Sequence, residues 1–486
     1  MNLNKKTVKP NGVVGATFWS SLQRFGGLVI SFISNMVLAR LLNPDDFGTM
    51  GLIMAFITVA DVLVDGGLGN ALIQKKNIEE KDKTTIYAVN LAFSILLFTC
   101  LFIAAPFIES FIGVFGFALL LRIQSICVLI RAFYVVSISQ ITRDLRFSKL
   151  AQVALISQTL STLIAITMAY QGMGVWSLLL KTILLDLFCC VLYVRASPFR
   201  YKLIFDKTSF KELFSFGFPV ALANIIESFY FNIVSFVIGK SYSVNDLGYF
   251  NQANSLKQIP VYSVSAVINQ VFFPFFSKIQ DDSTALVSQY RTTIRVVTFF
   301  VYPILAYLFF FAEPVIILLY SDKWLPCVPL FQILCLSGFL NALYHLSRST
   351  IKAVGKSKLL LYTQGLSLLI SLVFMCLFLQ FSLQTFVWAI VIDAIISYSI
   401  VSFCIGRYLS YPLARQIRDW GVFFIFAMVV AYLTSLVAQL IHIPMILEVI
   451  LFFIFNMTFF FAVNVLLKND IATMVMRVVK SKFNGK

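Results

Sequence analysis

A small number of charged and polar residues interrupt otherwise apolar stretches of this sequence, and their chemistry limits what the chain can do. Arg24, Ser31 and Asn35 recur at helical spacing in the first apolar stretch, so that helix has one polar face. Lipid cannot solvate such a face, which must therefore contact protein or a water-filled cavity. A guanidinium beside hydroxyl and amide groups could bind an anionic ligand that also carries hydroxyl groups.

A second polar face is predicted in the other half of the chain. Its amide, hydroxyl and amine groups are those of Asn251, Ser255, Gln258 and, at the edge of the face, Lys257. Asn224 occupies the place of Arg24 in an internal repeat that is described below. We expect all of these residues to line a substrate cavity, although Ser and Asn in membrane helices often make only helix–helix contacts.

Four carboxylates also lie within apolar stretches, namely Asp61, Asp65, Glu227 and Asp393. A charge inside the membrane costs several kcal/mol unless it is paired or hydrated. These residues are therefore candidates for binding a coupling ion, either H⁺ or Na⁺. The alternative is structural, since Asp61 or Glu227 could form an ion pair with Arg24.

Composition indicates which elements position these groups. The 486 residues are 59% hydrophobic and only 12% charged, and the mean hydropathy is +0.89. Apolar runs repeatedly exceed ~20 residues, the length that crosses a membrane. The sequence predicts an all-α polytopic membrane protein with about fourteen transmembrane helices, which short loops connect.

No site for covalent chemistry is predicted. The sequence has no glycine-rich phosphate loop, and no His lies near a candidate nucleophile. Eight scattered Cys residues without a CxxC motif and two lone His residues predict no metal site and no cofactor. We therefore expect a protein that is not an enzyme.

An internal repeat organises the predicted helices into two lobes. The triplet Asp46-Phe47-Gly48 returns 200 residues later as Asp246-Leu247-Gly248. Two six-helix lobes of the same orientation are predicted, related by a pseudo-two-fold axis along the membrane normal, with a cavity between them. The predicted domains are an N-terminal six-helix lobe at 1–200, a C-terminal six-helix lobe at 201–410, two additional transmembrane helices at 411–467, and a basic cytoplasmic tail at 468–486.

Basic residues are distributed asymmetrically along the chain, whose formal net charge is +16. Of the 38 Lys and Arg residues, thirty fall on alternate segments that would share one side of the membrane. Only Arg40, Lys240 and Lys323 fall on the opposite loops. This pattern predicts that both termini are cytoplasmic. It also argues against nucleic acid as a partner, since the charge is spread over short loops instead of one face.

The hairpin between the first two predicted helices carries a recognisable motif. The segment from Asn43 to Gly48 reads N-P-D-D-F-G, and the segment from Gly67 to Gln74 reads G-L-G-N-A-L-I-Q. Together with Arg24 and the plan of six, six and two helices, these segments resemble the polysaccharide exporters. These are the Wzx-type lipid-linked oligosaccharide flippases of the MATE-like superfamily.

The resemblance implies a two-lobed transporter of the bacterial inner membrane that works by alternating access. Its substrate would be an undecaprenyl-pyrophosphate-linked oligosaccharide, the repeat unit of an O-antigen, capsule or exopolysaccharide, moved from the cytoplasmic to the outer leaflet. Cavity arginines of the related lipid II flippases agree with Arg24. The expected partners are this lipid-linked oligosaccharide, membrane lipid, a coupling ion (H⁺ or Na⁺), and a polysaccharide polymerase with its chain-length protein.

Two other functions stay open from the residues alone. A MATE-type drug antiporter coupled to H⁺ or Na⁺ should favour acidic and aromatic groups for its cationic substrates. Here Arg24 and Lys257 accompany Asp61 and Glu227, so composition does not choose between the two transporters. A membrane polysaccharide polymerase is disfavoured, because it would need a large outer loop.

Overall fold

The computed structural model describes residues 10–483, apart from short gaps at 76–77, 198, 200–201, 269–271, 273–274, 277–278, 280–281 and 442. The described residues are helical and contain no β-strand. They form two compact units, and the boundary falls between Gly248 and Tyr249. The six-helix lobes with a boundary at residue 200 stay a prediction.

The first unit contains, in its described residues, nine complete helices and the start of a tenth. These are α1 (Pro10–Leu41), α2 (Pro44–Asp65), α3 (Leu68–Gln74), α4 (Glu80–Ile112), α5 (Phe117–Gln124), α6 (Ile126–Arg143), α7 (Phe147–Tyr170), α8 (Val175–Ala196), α9 (Lys207–Ser241) and α10 (Val244–Val267). Helix α7 packs against α1 and α8, while α6 packs against α4 and α8. Helix α2 packs against α9 and also contacts α6 and α8.

The predicted hairpin is formed by α1 and α2, and local chemistry explains its turn. Pro44 stands at the first position of α2, where a missing N–H breaks no helical hydrogen bond. The backbone N–H of Asn43 donates to the Asp46 carboxylate at 2.9 Å and closes the start of the helix. At the other end, Gly66 has φ +50°, a left-handed conformation that terminates α2.

Glycines let the turns at the start of α2 and of α10 approach each other closely. A Cβ atom on Gly48 would lie 1.8 Å from the carbonyl oxygen of Val244. A Cβ atom on Gly248 would lie 2.0 Å from the carbonyl oxygen of Pro44. The two glycines of the sequence repeat therefore each lie against the backbone of the other turn.

The second unit begins within α10. Its further described helices are α11 (Ser283–Phe310), α12 (Ala312–Tyr320), α13 (Cys327–Ala353), α14 (Ser357–Phe378), α15 (Leu383–Tyr408), α16 (Leu413–Leu440), α17 (Met445–Leu466) and α18 (Asp470–Phe483), with a 3₁₀ turn at Asp322–Trp324. Helix α13 packs against α11 and α15, and α16 packs against α11 and α17. The additional helices α16 and α17 therefore belong to the core of this unit.

Aromatic side chains dominate the interior of the second unit. The rings of Tyr302 and Phe339 cross edge to face with their centroids 4.9 Å apart. Near one end of α11, Arg291 donates two hydrogen bonds to the Asp419 carboxylate of α16, at 2.8 and 3.0 Å. Burial and this bidentate ion pair hold α16 against α11.

Twelve segments among the described residues are long and apolar enough to cross a membrane. The prediction of an all-α polytopic membrane protein is confirmed, whereas the count of fourteen spans is not. Helices α9 and α10 are not among these twelve segments. For α10 the reason is its polar residues, which are Asn251, Gln252, Asn254, Lys257 and Gln258.

Candidate functional site

Helix α1 presents the polar face that the sequence predicts. Arg24 is exposed on this helix, and its guanidinium neither donates a hydrogen bond to a described side chain nor forms an ion pair with one. Lipid cannot compensate a guanidinium, so its exposed side requires water or an anionic ligand. Arg24 is therefore a cation in the first unit that remains available for a ligand.

Farther along α1, the predicted polar residues contact a neighbouring helix or are partly covered. The amide of Gln158 on α7 donates to the hydroxyl of Ser31 at 2.8 Å and to the carbonyl of Gly27 at 3.0 Å. Asn35 is half-buried. The Ser31 contact is the helix–helix alternative that the sequence left open, and Gln158 is the partner that the sequence did not indicate.

Lys181 on α8 is compensated by a hydroxyl instead of a carboxylate. Its ammonium donates to the hydroxyl of Ser34 on α1 at 2.6 Å. Asp186 lies five residues farther along α8 but does not pair with Lys181. Asp186 pairs with a different cation, because the helix turns its carboxylate toward α6.

That cation is Arg131 on α6, which joins two carboxylates from two other helices. Its guanidinium pairs with Asp61 on α2, and its Nε donates to Asp186 on α8 at 3.0 Å. Tyr134, one turn farther along α6, donates its hydroxyl to the other Asp186 oxygen at 2.8 Å. Arg131 is 27% exposed, Asp61 15% and Asp186 6%, so this charge cluster lies largely within the helix packing.

The remaining carboxylates that were candidates for ion coupling have different surroundings. The side chains of Asp65 and Glu227 lie outside the described part of the structure. Asp393 is buried on α15 and accepts a hydrogen bond from Ser397 at 3.4 Å. Asp61 forms an ion pair with Arg131, and not with Arg24.

The predicted polar residues of α9 and α10 are not equally accessible. Asn224 on α9 and Asn251 on α10 are half-buried, and Ser255 is exposed. Gln258 is half-buried, and its side-chain oxygen is buried without a hydrogen-bond partner among the described groups. Whether these side chains contact a substrate stays a prediction.

Lys257 differs from the other predicted residues of α10, because it is only 2% exposed. Its methylenes lie against Gly338 of α13, where an added Cβ would come within 3.3 Å of the Lys257 Cγ. Its ammonium neither donates a hydrogen bond to a described side chain nor forms an ion pair with one. Its substrate contact stays a prediction, and that contact requires α10 and α13 to separate locally.

Reasoning from the sequence did not assign Arg131, Asp186 and Tyr134 to a common cluster. The signal that could have found them is charge balance, since an intramembrane Asp needs a cation and Arg131 lies within an apolar run. The sequence could not pair them, because 55 and 70 residues separate Arg131 from its two partners.

The fold matches those of two solved membrane proteins. The structure of lipid II flippase MurJ in an inward closed conformation matches it with a TM-score of 0.74 and 16% identity, over 94% of this chain and 100% of that one. An inward-facing MATE family multidrug resistance transporter matches with a TM-score of 0.63 and 17% identity, over 79% and 94%. The predicted MATE-like fold is confirmed.

The family follows from the sequence comparison. Residues 37–329, more than half of the chain, match the family described as polysaccharide biosynthesis protein, and this chain belongs to that family. The match includes the hairpin motif and most of the first unit. The resemblance inferred from the motif is therefore confirmed.

Several curated relatives cover most of the chain. The teichuronic acid biosynthesis protein TuaB of Bacillus subtilis is 25% identical over 82% of both chains. The succinoglycan biosynthesis transport protein ExoT of Rhizobium meliloti is 27% identical over 69% of this chain and 67% of its own. The lipopolysaccharide biosynthesis protein WzxC of Escherichia coli is 26% identical over 70% and 69%.

Proposed function

We propose that this protein moves a lipid-linked oligosaccharide from the cytoplasmic to the outer leaflet of the bacterial cell membrane. Its family, and relatives named for teichuronic acid biosynthesis, succinoglycan transport and lipopolysaccharide biosynthesis, support this function. The fold shared with a lipid II flippase agrees with it. The protein acts as a transporter and not as an enzyme.

The structural observation that carries the proposal is Arg24. An exposed, uncompensated guanidinium on a membrane helix suits the diphosphate of an undecaprenyl-diphosphate carrier, because the planar fork can grip phosphate oxygens with paired hydrogen bonds. Charge-assisted contacts contribute about 1.5–3 kcal/mol each, or roughly ten- to a hundredfold in binding. Amides and hydroxyls on α9 and α10, including Asn224, Asn251 and Ser255, would suit sugar hydroxyls.

The charge cluster disfavours the alternative function, export of cationic drugs. A cationic substrate needs an acidic group that is free of other cations, but Arg131 already pairs with one oxygen of Asp61 and one of Asp186. Among the described cations within the apolar helices of the first unit, Arg24 is the one without a partner. This arrangement selects anionic substrates, so a drug antiporter is the weaker proposal.

The energy source is proposed to be an ion gradient. At least one of the intramembrane carboxylates Asp61, Asp65, Glu227 and Asp393 would bind H⁺ or Na⁺ during the transport cycle. Both termini would be cytoplasmic, so that the basic loops follow the positive-inside rule. A polysaccharide polymerase and a chain-length protein would receive the flipped repeat unit.

The test is complementation of bacterial strains that lack their own flippase and make defined surface glycans. The wild-type chain should restore glycan on the surface of at least one strain. Arg24→Ala should cripple export at normal membrane abundance, Arg24→Lys should retain part of it, and Arg24→Glu should be worse than Arg24→Ala because it repels the diphosphate. Gly15→Ala on the same helix, where nothing lies within 4 Å of the added atom, is the matched control.

Two results would contradict the proposal. Normal surface glycan in the Arg24→Ala strain would remove the diphosphate role from this residue. Drug resistance conferred by the wild-type chain, without complementation of any glycan strain, would favour the antiporter. A purely structural Arg24 predicts reduced membrane abundance in Arg24→Ala, so abundance and surface glycan are measured together.

A further inference from the structure

The hydrogen bonds of the charge cluster leave one oxygen atom open. Both carboxylate oxygens of Asp186 are engaged, one by the Tyr134 hydroxyl and the other by the Arg131 Nε. Asp61 is engaged through Oδ2 alone. Its Oδ1 is buried and has no hydrogen-bond partner among the described atoms.

The same cluster is also short of one positive charge. Two carboxylates and one guanidinium carry a net charge of −1 when both acids are ionised, and this charge lies among packed membrane helices. Two ionised acids that share one cation among membrane helices are costly to keep charged together. One bound monovalent cation would make the cluster neutral.

We propose that Asp61 binds one proton at Oδ1, and that this proton weakens the contact between α2 and Arg131. The proposal rests on the proposed ion coupling and specifies its ion and its site. The proton favours Asp61 because Asp186 keeps two donors that stabilise its ionised form. The neutral pair that remains is Arg131 with Asp186.

A proton fits this site better than a metal cation. Hard metal ions require several oxygen ligands around them. Here a single carboxylate oxygen is open, while the other three oxygens of the two acids already accept hydrogen bonds. One open oxygen can take a proton but does not form a coordination shell.

Neighbouring titratable groups define what else could respond to pH. On the cluster's own helices these are Cys127, Cys189, Cys190 and Tyr134, and Lys181 is engaged by Ser34. Helix α9 packs on α2 and carries Glu227, whose side chain lies outside the described part of the structure. The side chain of Asp65 on α2 also lies outside the described part of the structure, so both acids need control variants.

Protonation changes how α2 is held. With Asp61 ionised, a charge-assisted contact joins α2 to α6, and α6 is joined in the same way to α8. With Asp61 neutral, the contact to α8 persists and the contact to α2 weakens to an ordinary hydrogen bond. Proton binding therefore loosens one helix of the opening hairpin while the rest of the cluster stays closed.

The experiment counts titrating carboxyl groups by infrared spectroscopy on the purified full chain in lipid nanodiscs. The wild type should show one protonated carboxyl band at this site that disappears as pH rises. Asp61→Asn and Asp186→Asn should each abolish it, because each leaves one carboxylate balanced by Arg131. Arg131→Gln should raise the count to two, and Asp65→Asn and Glu227→Gln should keep the wild-type band.

Loss of the band in only one of the two Asp variants, or its persistence in Asp61→Asn, would overturn the proposal. A band that Na⁺ displaces at constant pH would show a metal-cation site and overturn the proton assignment. Should Asp61→Asn fail to accumulate, the loss of the band in Asp186→Asn and the count of two in Arg131→Gln still test the proposal. The measurement uses no substrate, so failed glycan complementation with a normal band would reject the proposed function alone.

Discussion

The close approach of the two turns that carry Gly48 and Gly248 gives the sharpest prediction about stability. Replacing Gly48 with Ala places a Cβ atom 1.8 Å from the backbone carbonyl oxygen of Val244, whereas real Cβ contacts stay beyond 3.0 Å. The two backbones would have to separate by more than 1 Å. A rotamer change cannot relieve this clash, because both partners at the contact are backbone atoms.

Overpacking in a close-packed interior costs about 1–3 kcal/mol, occasionally more. Because Gly48→Ala meets backbone, we expect a cost of ~3 kcal/mol or more, and a similar cost for Gly248→Ala. The two added methyl groups lie at one crossing, so the double variant should cost less than the two single costs together. The readout is thermal unfolding of the detergent-extracted protein, together with its abundance in the membrane.

A matched control is Gly421→Ala on α16, where nothing lies within 4 Å of the added Cβ. This change should leave stability unchanged or raise it by roughly 0.5–1 kcal/mol, the usual gain of Ala over Gly within a helix. If Gly48→Ala unfolds at the wild-type temperature while the Gly421→Ala control behaves as described, the close backbone crossing is refuted.

Three further predictions concern topology and charge. Reporter fusions at Lys482 should indicate the cytoplasm and fusions at Lys323 the outside, and an external reporter at Lys482 would contradict an even number of spans. Lys257→Met should raise the unfolding temperature, because it removes a buried ammonium without a described partner. It should lower glycan export if that amine binds the substrate. An unchanged unfolding temperature would show that the charge of Lys257 is compensated. Asp419→Asn should weaken the bidentate contact with Arg291 and destabilise the second unit by about 1–3 kcal/mol in thermal unfolding, a loss that Asp322→Asn should not reproduce.

Features fixed by neighbours in sequence were predictable. The Asn43-Pro44 turn, the acidic residue that closes the start of α2, and the glycines that end α2 follow from local propensities, and the structure contains them. Apolar run length alone gave the membrane class. These inferences succeed because each depends on a few adjacent residues and on the solvent.

Features that depend on distant neighbours were not predictable. Arg122 and Arg131 lie in one apolar stretch of the sequence, but the chain changes helix at Ser125 between α5 and α6. Arg122 donates to the carbonyl of Phe102 at 3.0 Å, whereas Arg131 pairs with carboxylates of other helices. A helical-wheel argument does not apply across such a break.

Charge compensation connects these observations to function. The predicted spans contain five cations, of which the sequence favoured Arg24 and Lys257 as cavity residues: Arg24, Arg122, Arg131, Lys181 and Lys257. Three of them have partners within the first unit. Arg122 donates to a backbone carbonyl, Arg131 pairs with two carboxylates, and Lys181 donates to a hydroxyl. Neither of the other two, Arg24 and Lys257, has a partner among the described residues. A membrane cation that the protein leaves uncompensated must find its counter-charge in water or in a ligand. In the proposed function, an anionic lipid diphosphate would supply that charge at exposed Arg24, whereas buried Lys257 would meet it only after its helix packing opens.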